Sequence, residues 1–169
     1  SSGTPALGVG AGNAVITVDE TADIVDAAEK IRISKTLDLA ASCSADNSVI
    51  AVASIYDDLV EKLIAEGGYL AKEGDYEKIA AVLWEDGHLN TKAVVLKPQV
   101  LCEMAGVNIP ADAKFIIMPE TGTGPDHPYS GEKLSVIMAF YKVSDIDEAI
   151  ELTNEIQEYQ GKGHSCGIY

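Results

Sequence analysis

The chain alternates between two apolar periods, and that alternation narrows its fold more than any other property. Ala14-Val15-Ile16-Thr17-Val18 and Ser48-Val49-Ile50-Ala51-Val52 are short, largely apolar and rich in β-branched residues. A strand with one wet face alternates apolar and polar residues, so continuous runs like these read as strands buried on both faces. Lys114-Phe115-Ile116-Ile117-Met118 and the run from Ser135 to Tyr141 read the same way. Between the runs, apolar residues fall at helical spacing: Ile24, Ala27, Ala28 and Ile31, then Tyr56, Leu59, Val60 and Leu63. Thr21 and Ser54 are placed to cap these two helices, and Gly67-Gly68 ends the second. Further helices are predicted over about 75–84, over 98–105 up to Gly106, and after Ser144 or Asp145, with Ile146, Ala149, Ile150 and Thr153 on one face. Asp86-Gly87 makes a turn, and Gly161 and Gly163 return the chain to a last strand. Such an order gives an α/β fold, a doubly wound and mostly parallel sheet covered on both faces. With 169 residues, it is one domain with a sizeable core.

Charge removes several function classes. Asp and Glu number 27 against 12 Lys and Arg, a net charge of −15. Phosphate backbones and anionic membranes need basic surfaces, so neither nucleic acid nor membrane is an expected partner. No apolar run approaches the ~20 residues of a membrane-spanning helix. Cys43, Cys102 and Cys166 are odd in number and match no disulfide or metal spacing. Free thiols fit a reducing, cytoplasmic compartment. His88, His127 and His164 lie far apart, so no metal site is expected. The chain opens at Ser1-Ser2-Gly3 without Met and closes at Ile168-Tyr169 in a strand-like pattern, so it is expected to be a piece of a longer protein.

Cys43 is the leading candidate for chemistry. It sits between a helical and a strand pattern, flanked by Ala40, Ala41, Ser42, Ser44 and Ala45. A free cysteine is commonly a small buried hydrophobe. Small neighbours at an exposed turn allow a second reading, a nucleophile approached by a substrate and supported by nearby backbone N–H groups. Cys102 lies among Val100, Leu101 and Met104 and reads as core, and Cys166 as core or structural. Gly8-Val9-Gly10-Ala11-Gly12-Asn13 is not a dinucleotide fingerprint, because its spacing differs and a strand follows instead of a helix. It reads as a tight turn where backbones pass closely, or as a place where glycines, Gly10 among them, clear room for a ligand. Glu132, ahead of Lys133-Leu134-Ser135, is either a surface carboxylate or an acceptor for ribose hydroxyls. The loop from Glu120 to Glu132 holds three Gly and two Pro, long enough to be functional, and His127 within it reads as solvated. His164, among glycines at a helix–strand junction, either contacts a ligand or caps the helix.

Taken in order, these residues resemble the aldehyde dehydrogenase superfamily, specifically its CoA-acylating branch. The glycine turn with Asn13 comes first, then Ser34-Lys35-Thr36-x-Asp38 leading to Cys43, then Gly131-Glu132-Lys133-Leu134-Ser135, and finally Gly161-Lys162-Gly163-His164-Ser165. Asp86-Gly87-His88-Leu89-Asn90 is similar to the acetaldehyde dehydrogenase part of bifunctional enzymes, and to acylating sulfoacetaldehyde and succinate-semialdehyde dehydrogenases. The resemblance implies that Cys43 attacks a small aldehyde to give a thiohemiacetal, that hydride passes to NAD or NADP, and that coenzyme A takes the acyl group from the thioester. It implies that Glu132 holds the nicotinamide ribose and that Leu134 lines the nicotinamide, with Gly10 in the cofactor-binding set. Hydrolytic relatives carry a water-activating glutamate where this chain has about Gly8. Losing a base worth roughly 10²- to 10⁴-fold favours a thiol acceptor over water. Val136, the Leu39-Ala40-Ala41 stretch and Asp46 depart from the family pattern. The resemblance further implies that residues 1–169 form the catalytic-cysteine domain of a homo-oligomer whose main nucleotide-binding domain, with an oxyanion-binding Asn, lies elsewhere, so that this segment alone is inactive or nearly so. Two alternatives remain at this point, a hydrolytic aldehyde dehydrogenase and a non-catalytic α/β interaction module in which Cys43 is only a packed thiol.

Overall fold

A computed structural model describes Gly3, Pro5 and residues 10–169. Strands β1 (Ala14–Val18), β2 (Asp46–Val52), β3 (Gly68–Leu70), β6 (Phe115–Pro119), β7 (Ile137–Val143) and β8 (Cys166–Ile168) form one sheet in the order β3-β6-β7-β2-β1-β8. Every pairing in it is parallel. All seven residues of β2 are buried, which requires cover on both faces. A short antiparallel hairpin, β4 (Trp84–Glu85) and β5 (His88–Leu89), stands apart. Its turn residues Asp86 and Gly87 have φ of 51° and 75°, the double left-handed turn that favours Asp-Gly.

Helices α1 (Ile24–Thr36) and α2 (Tyr56–Ala65) follow β1 and β2 and pack on each other, while α5 (Ile146–Tyr159) packs on β1, β2 and β7. The crossovers through α1 and α2 step one way along the sheet and the crossover through α5 steps the other. Right-handed connections running in opposite directions put their helices on opposite faces, the doubly wound arrangement that the apolar pattern implies. Helices α3 (Asp75–Leu83) and α4 (Pro98–Met104) lie in the excursion between β3 and β6. The core is built from Val49, Ile50 and Ala51 of β2, Ile116 and Ile117 of β6 and Ile137 to Phe140 of β7, with Ala27, Ala28, Ile31, Leu59 and Leu63 from the helices above.

Several local expectations are corrected. Asp23, not Thr21, caps α1, its Oδ1 accepting the N–H groups of Val25 and Asp26 at 3.1 Å each. Thr21 instead donates to Asp19. No side chain caps α2, so the Ser54–Asp57 box does not form. Asp145 caps α5 by accepting Glu148 N–H, and Glu148 accepts Ser144 N–H in return. Ile150 faces outward from α5, while Ala149 and Ile156 bury. Strand β3 is not predicted, because three residues after a glycine pair carry too little pattern. Among the described residues no helix is long and apolar enough to cross a membrane.

Candidate active site

Four segments enter the amino ends of four neighbouring strands. Gly12-Asn13 leads into β1, Cys43 lies just before β2, Glu132 comes before β7, and His164 before β8. Since β7, β2, β1 and β8 are consecutive in the sheet and all parallel, these segments must meet at one edge. A Cβ added to Gly12 would lie 2.6 Å from Cys43 Cβ, 3.1 Å from Glu132 Oε1 and 3.1 Å from His164 Nε2. Glycine is thus required at residue 12 by a close approach, not by a special backbone angle. Cys43 is exposed at its turn, which removes the packed-hydrophobe reading. Glu132, Leu134 and His164 are half-buried beside it. A recess of about 10 Å³, room for one water, is lined by Gly12, Lys35, Cys43, Asn47, Glu132 and Leu134, among others.

Buried amides hold this edge together. Asn13 Nδ2 donates to the carbonyls of Ser130 at 2.8 Å and Gln160 at 3.0 Å. Asn47 Nδ2 donates to Asn13 Oδ1 at 2.5 Å and to Gly131 O at 2.7 Å. Gln160 Oε1 accepts Glu132 N–H at 2.9 Å. Lys133, fully buried, donates to the carbonyls of Tyr129 and Gly131, and burial drives its ammonium well below the ordinary lysine range. Gly161, at φ 98°, passes so close to Asn13 that a Cβ there would be 2.5 Å from Asn13 Cβ. The loop that carries Glu132 is therefore tied to β1, to β2 and to the end of α5.

The backbone before Cys43 is strained. Asp38, Leu39 and Ala40 have φ of 51°, 54° and 58°, three consecutive non-glycine residues in the left-handed region. Leu134 (φ 42°) and Val95 (φ 55°) are left-handed too, and Val95 N–H donates to Leu134 O at 2.8 Å. Strain of this kind gathers at functional sites. Cys43 N–H has no acceptor among the described residues, which leaves a donor at the base of the sulfur.

Gly10 is not drawn in: it is exposed, and a Cβ on it would meet nothing within 4 Å. Gly8 lies outside the described residues. The structure brings in His164, for which the sequence offers both ligand contact and helix capping; its signals are its place among glycines and the Gly161–Ser165 motif of the resemblance. Cys102 is fully buried, and burial pushes its thiol up to about 11, so it is inert. Cys166 is exposed on the edge strand β8, against its reading as core. His127 is not simply solvated. Its Nδ1 lies 2.7 Å from Oε1 of buried Glu120, whose Oε2 accepts Tyr76 O–H at 2.7 Å. A roomier cleft, about 390 Å³, opens at the carboxyl ends of β6 and β7, where open α/β sheets ordinarily bind ligands. Tyr56, Glu120 and Lys142 line it, but it contains no thiol, and the chemically paired groups sit at the opposite edge.

No protein-family model matches the chain. It is 36% identical, over 99% of its length, to an acylating sulfoacetaldehyde dehydrogenase from Cupriavidus necator, of which it covers 34%. An acetylating aldehyde dehydrogenase from Geobacillus thermoglucosidasius superposes with a TM-score of 0.94 at 40% identity, covering 99% of this chain and 37% of that one. A propionaldehyde dehydrogenase from Rhodopseudomonas palustris, solved with bound CoA and an acylated cysteine, gives a TM-score of 0.85 at 30% identity over 99% of this chain and 38% of its own. The chain spans about a third of the length of these relatives.

Proposed function

We propose that this chain, homologous along its whole length to about a third of the acylating aldehyde dehydrogenases, supplies the cysteine nucleophile that oxidises a small aldehyde to an acyl-CoA with NAD(P)⁺, reversibly. The convergence of Cys43, Glu132 and His164 on Gly12 carries this reading. Cys43 Sγ attacks the aldehyde carbon, and the carbonyl π pair becomes an alkoxide that the Cys43 N–H can stabilise. NAD(P)⁺ held by Glu132 and Leu134 would supply the hydride acceptor, and loss of hydride from the carbon bonded to Cys43 Sγ leaves a thioester on Cys43. The chain's own residues fit that group: Glu132 is a fixed acceptor for ribose hydroxyls, Leu134 offers apolar surface to the ring, and the absent Cβ of Gly12 leaves a cradle.

The thiol of coenzyme A then attacks the thioester carbon, the C–S bond to Cys43 breaks, and the Cys43 thiolate leaves. His164, with Nε2 in the same cluster, is the group suited to take the CoA thiol proton. Among the described residues Glu132 is the only carboxylate lining the recess, and once engaged with ribose it is not free to activate water. On this reading residues 1–169 are the catalytic-cysteine domain of a longer cytoplasmic, homo-oligomeric protein whose main nucleotide-binding domain lies outside them. Gly10 has no part in the steps above.

In the full-length protein, Cys43→Ala is expected to abolish aldehyde-dependent NAD(P)H formation while circular dichroism stays unchanged. Retained turnover would sink the assignment. Carboxylate formed without CoA would reject the acylating outcome in favour of hydrolysis.

A further inference from the structure

Among the described residues, Lys35 is the one ionisable group lining the Cys43 recess that has no part in the steps of the proposed function. It closes the last turn of α1, and its side chain is 1% exposed. Among the described residues its amine has no hydrogen bond and no ion pair. Ser48 Oγ is the only side-chain polar atom among them that is both sealed from solvent and unpartnered, so the Lys35 nitrogen is not sealed in protein but open to the recess it lines. A buried cation without a partner is costly, and one kept at a cavity wall marks a place where a partner forms during the working cycle.

The recess holds one group able to become that partner without importing charge. Proton transfer from Cys43 Sγ–H to Lys35 Nζ breaks an S–H bond, forms an N–H bond and leaves a thiolate facing an ammonium. The pair's net charge is unchanged, so the recess is not asked to hold an isolated ion. We infer that Lys35 is a positioning residue for the nucleophile, a buried amine that takes up the Cys43 proton across the recess and holds the thiolate ready. The inference rests on the proposed role of Cys43 and adds how the thiolate is maintained.

The surrounding charges suit this use. Asp46, the first residue of the strand that follows Cys43, draws the proton toward Lys35, while Lys35 and Lys133 repel each other's positive charge. Glu132 lines the same recess, and His164 lies beside Cys43. Burial against Asp46's attraction holds the Lys35 amine down at about 7 instead of 10.5, so near neutral pH it is poised to accept a proton. Glu132 lines the recess and His164 converges with Cys43 on Gly12, so a test must vary Lys35 alone.

The test is the pH dependence of Cys43 alkylation by iodoacetamide in the full-length protein, read by peptide mass spectrometry in wild type, Lys35→Met and Lys35→Arg. Lys35→Met is expected to lower the labelling rate at pH 7 about tenfold, with labelling at pH 9.5 little changed, and Lys35→Arg to restore much of it. An unchanged profile in a folded Lys35→Met overturns the inference. Coupling is reciprocal, so a second measurement needs no Lys35 variant: the titration of ε-¹³C-labelled Lys35 followed by NMR in wild type and Cys43→Ala. Removing the thiol is expected to shift that titration to lower pH, and an identical titration overturns the inference. Neither readout uses aldehyde, CoA or NAD(P). A coupled Lys35 in a protein with no acyl-transfer activity would therefore disprove the function and not the coupling.

Discussion

A methyl group on Gly12 would come within 2.6 Å of Cys43 Cβ, closer than two side-chain carbons can stand. Residue 12 and residue 43 lie on segments that enter adjacent strands, β1 and β2, and the sheet fixes their separation. Neither backbone can retreat without breaking the ladder between those strands, so the absent side chain at residue 12 creates the working space around the thiol.

Gly12→Ala is therefore expected to displace Cys43, Glu132 or His164 by several tenths of an ångström. Misplacement near 1 Å costs on the order of 10²-fold in a reaction that depends on alignment. Steady-state acyl-CoA formation in the full-length protein should fall by about that factor, while the thermal midpoint moves by only a few degrees. An Ala variant with normal turnover would show that the approach is not a constraint.

The left-handed run before Cys43 gives a stability prediction. Each L-residue in that region costs about 1–2 kcal/mol, a penalty glycine escapes. Ala40 is buried and lines the Cys43 recess at φ 58°. Ala40→Gly should stabilise the protein by about 1 kcal/mol, where an ordinary Ala→Gly change destabilises. Chemical denaturation of the two proteins side by side decides the sign. Leu39 packs partly on the core, so the same change there would lose burial as well and is the poorer test.

Buried Lys35 predicts an unusual dependence of stability on pH. Its amine titrates near 7 in the folded state, against 10.5 for the free side chain. Between those values the unfolded chain holds the extra proton, so raising the pH favours folding, by up to about 1.4 kcal/mol per pH unit. Asp46 acts in a lower window. Burial raises it to about 6 from 3.8, so its ionisation weakens the fold as pH climbs through that range and adds nothing further above neutrality. Hydrogen-exchange protection of the β2 amides should increase from pH 7 to 9 after correction for intrinsic exchange, and Lys35→Met should flatten the increase. Protection that falls over this range in the wild type would contradict the burial of Lys35.

Much of the fold was legible from residue order. Val49 to Val52 are apolar at successive positions, and Val15 to Val18 are so except for Thr17, because both faces of an inner parallel strand are covered, and that pattern marks them as strands. What the pattern did not carry were elements set by contacts. The Asp23 cap displaced Thr21 because Asp23 alone places a carboxylate under the free N–H groups of Val25 and Asp26. Ile150 matched the helical period but points away, because α5 is wider than the stripe its sheet contact buries.

The sequence by itself determined the α/β class, and it marked Cys43, Glu132 and Leu134 as candidates through a resemblance of ordered motifs. Only the tertiary structure decided that they meet, since they are brought together by the lateral order β7-β2-β1-β8, and strand order is a long-range property that local periodicity does not encode. The same order set Gly12 against Cys43 and brought His164 to it, while Lys35 reaches the recess from the last turn of α1. It also gathered these residues at the amino edge of the sheet, opposite the carboxyl-end cleft, which holds no thiol.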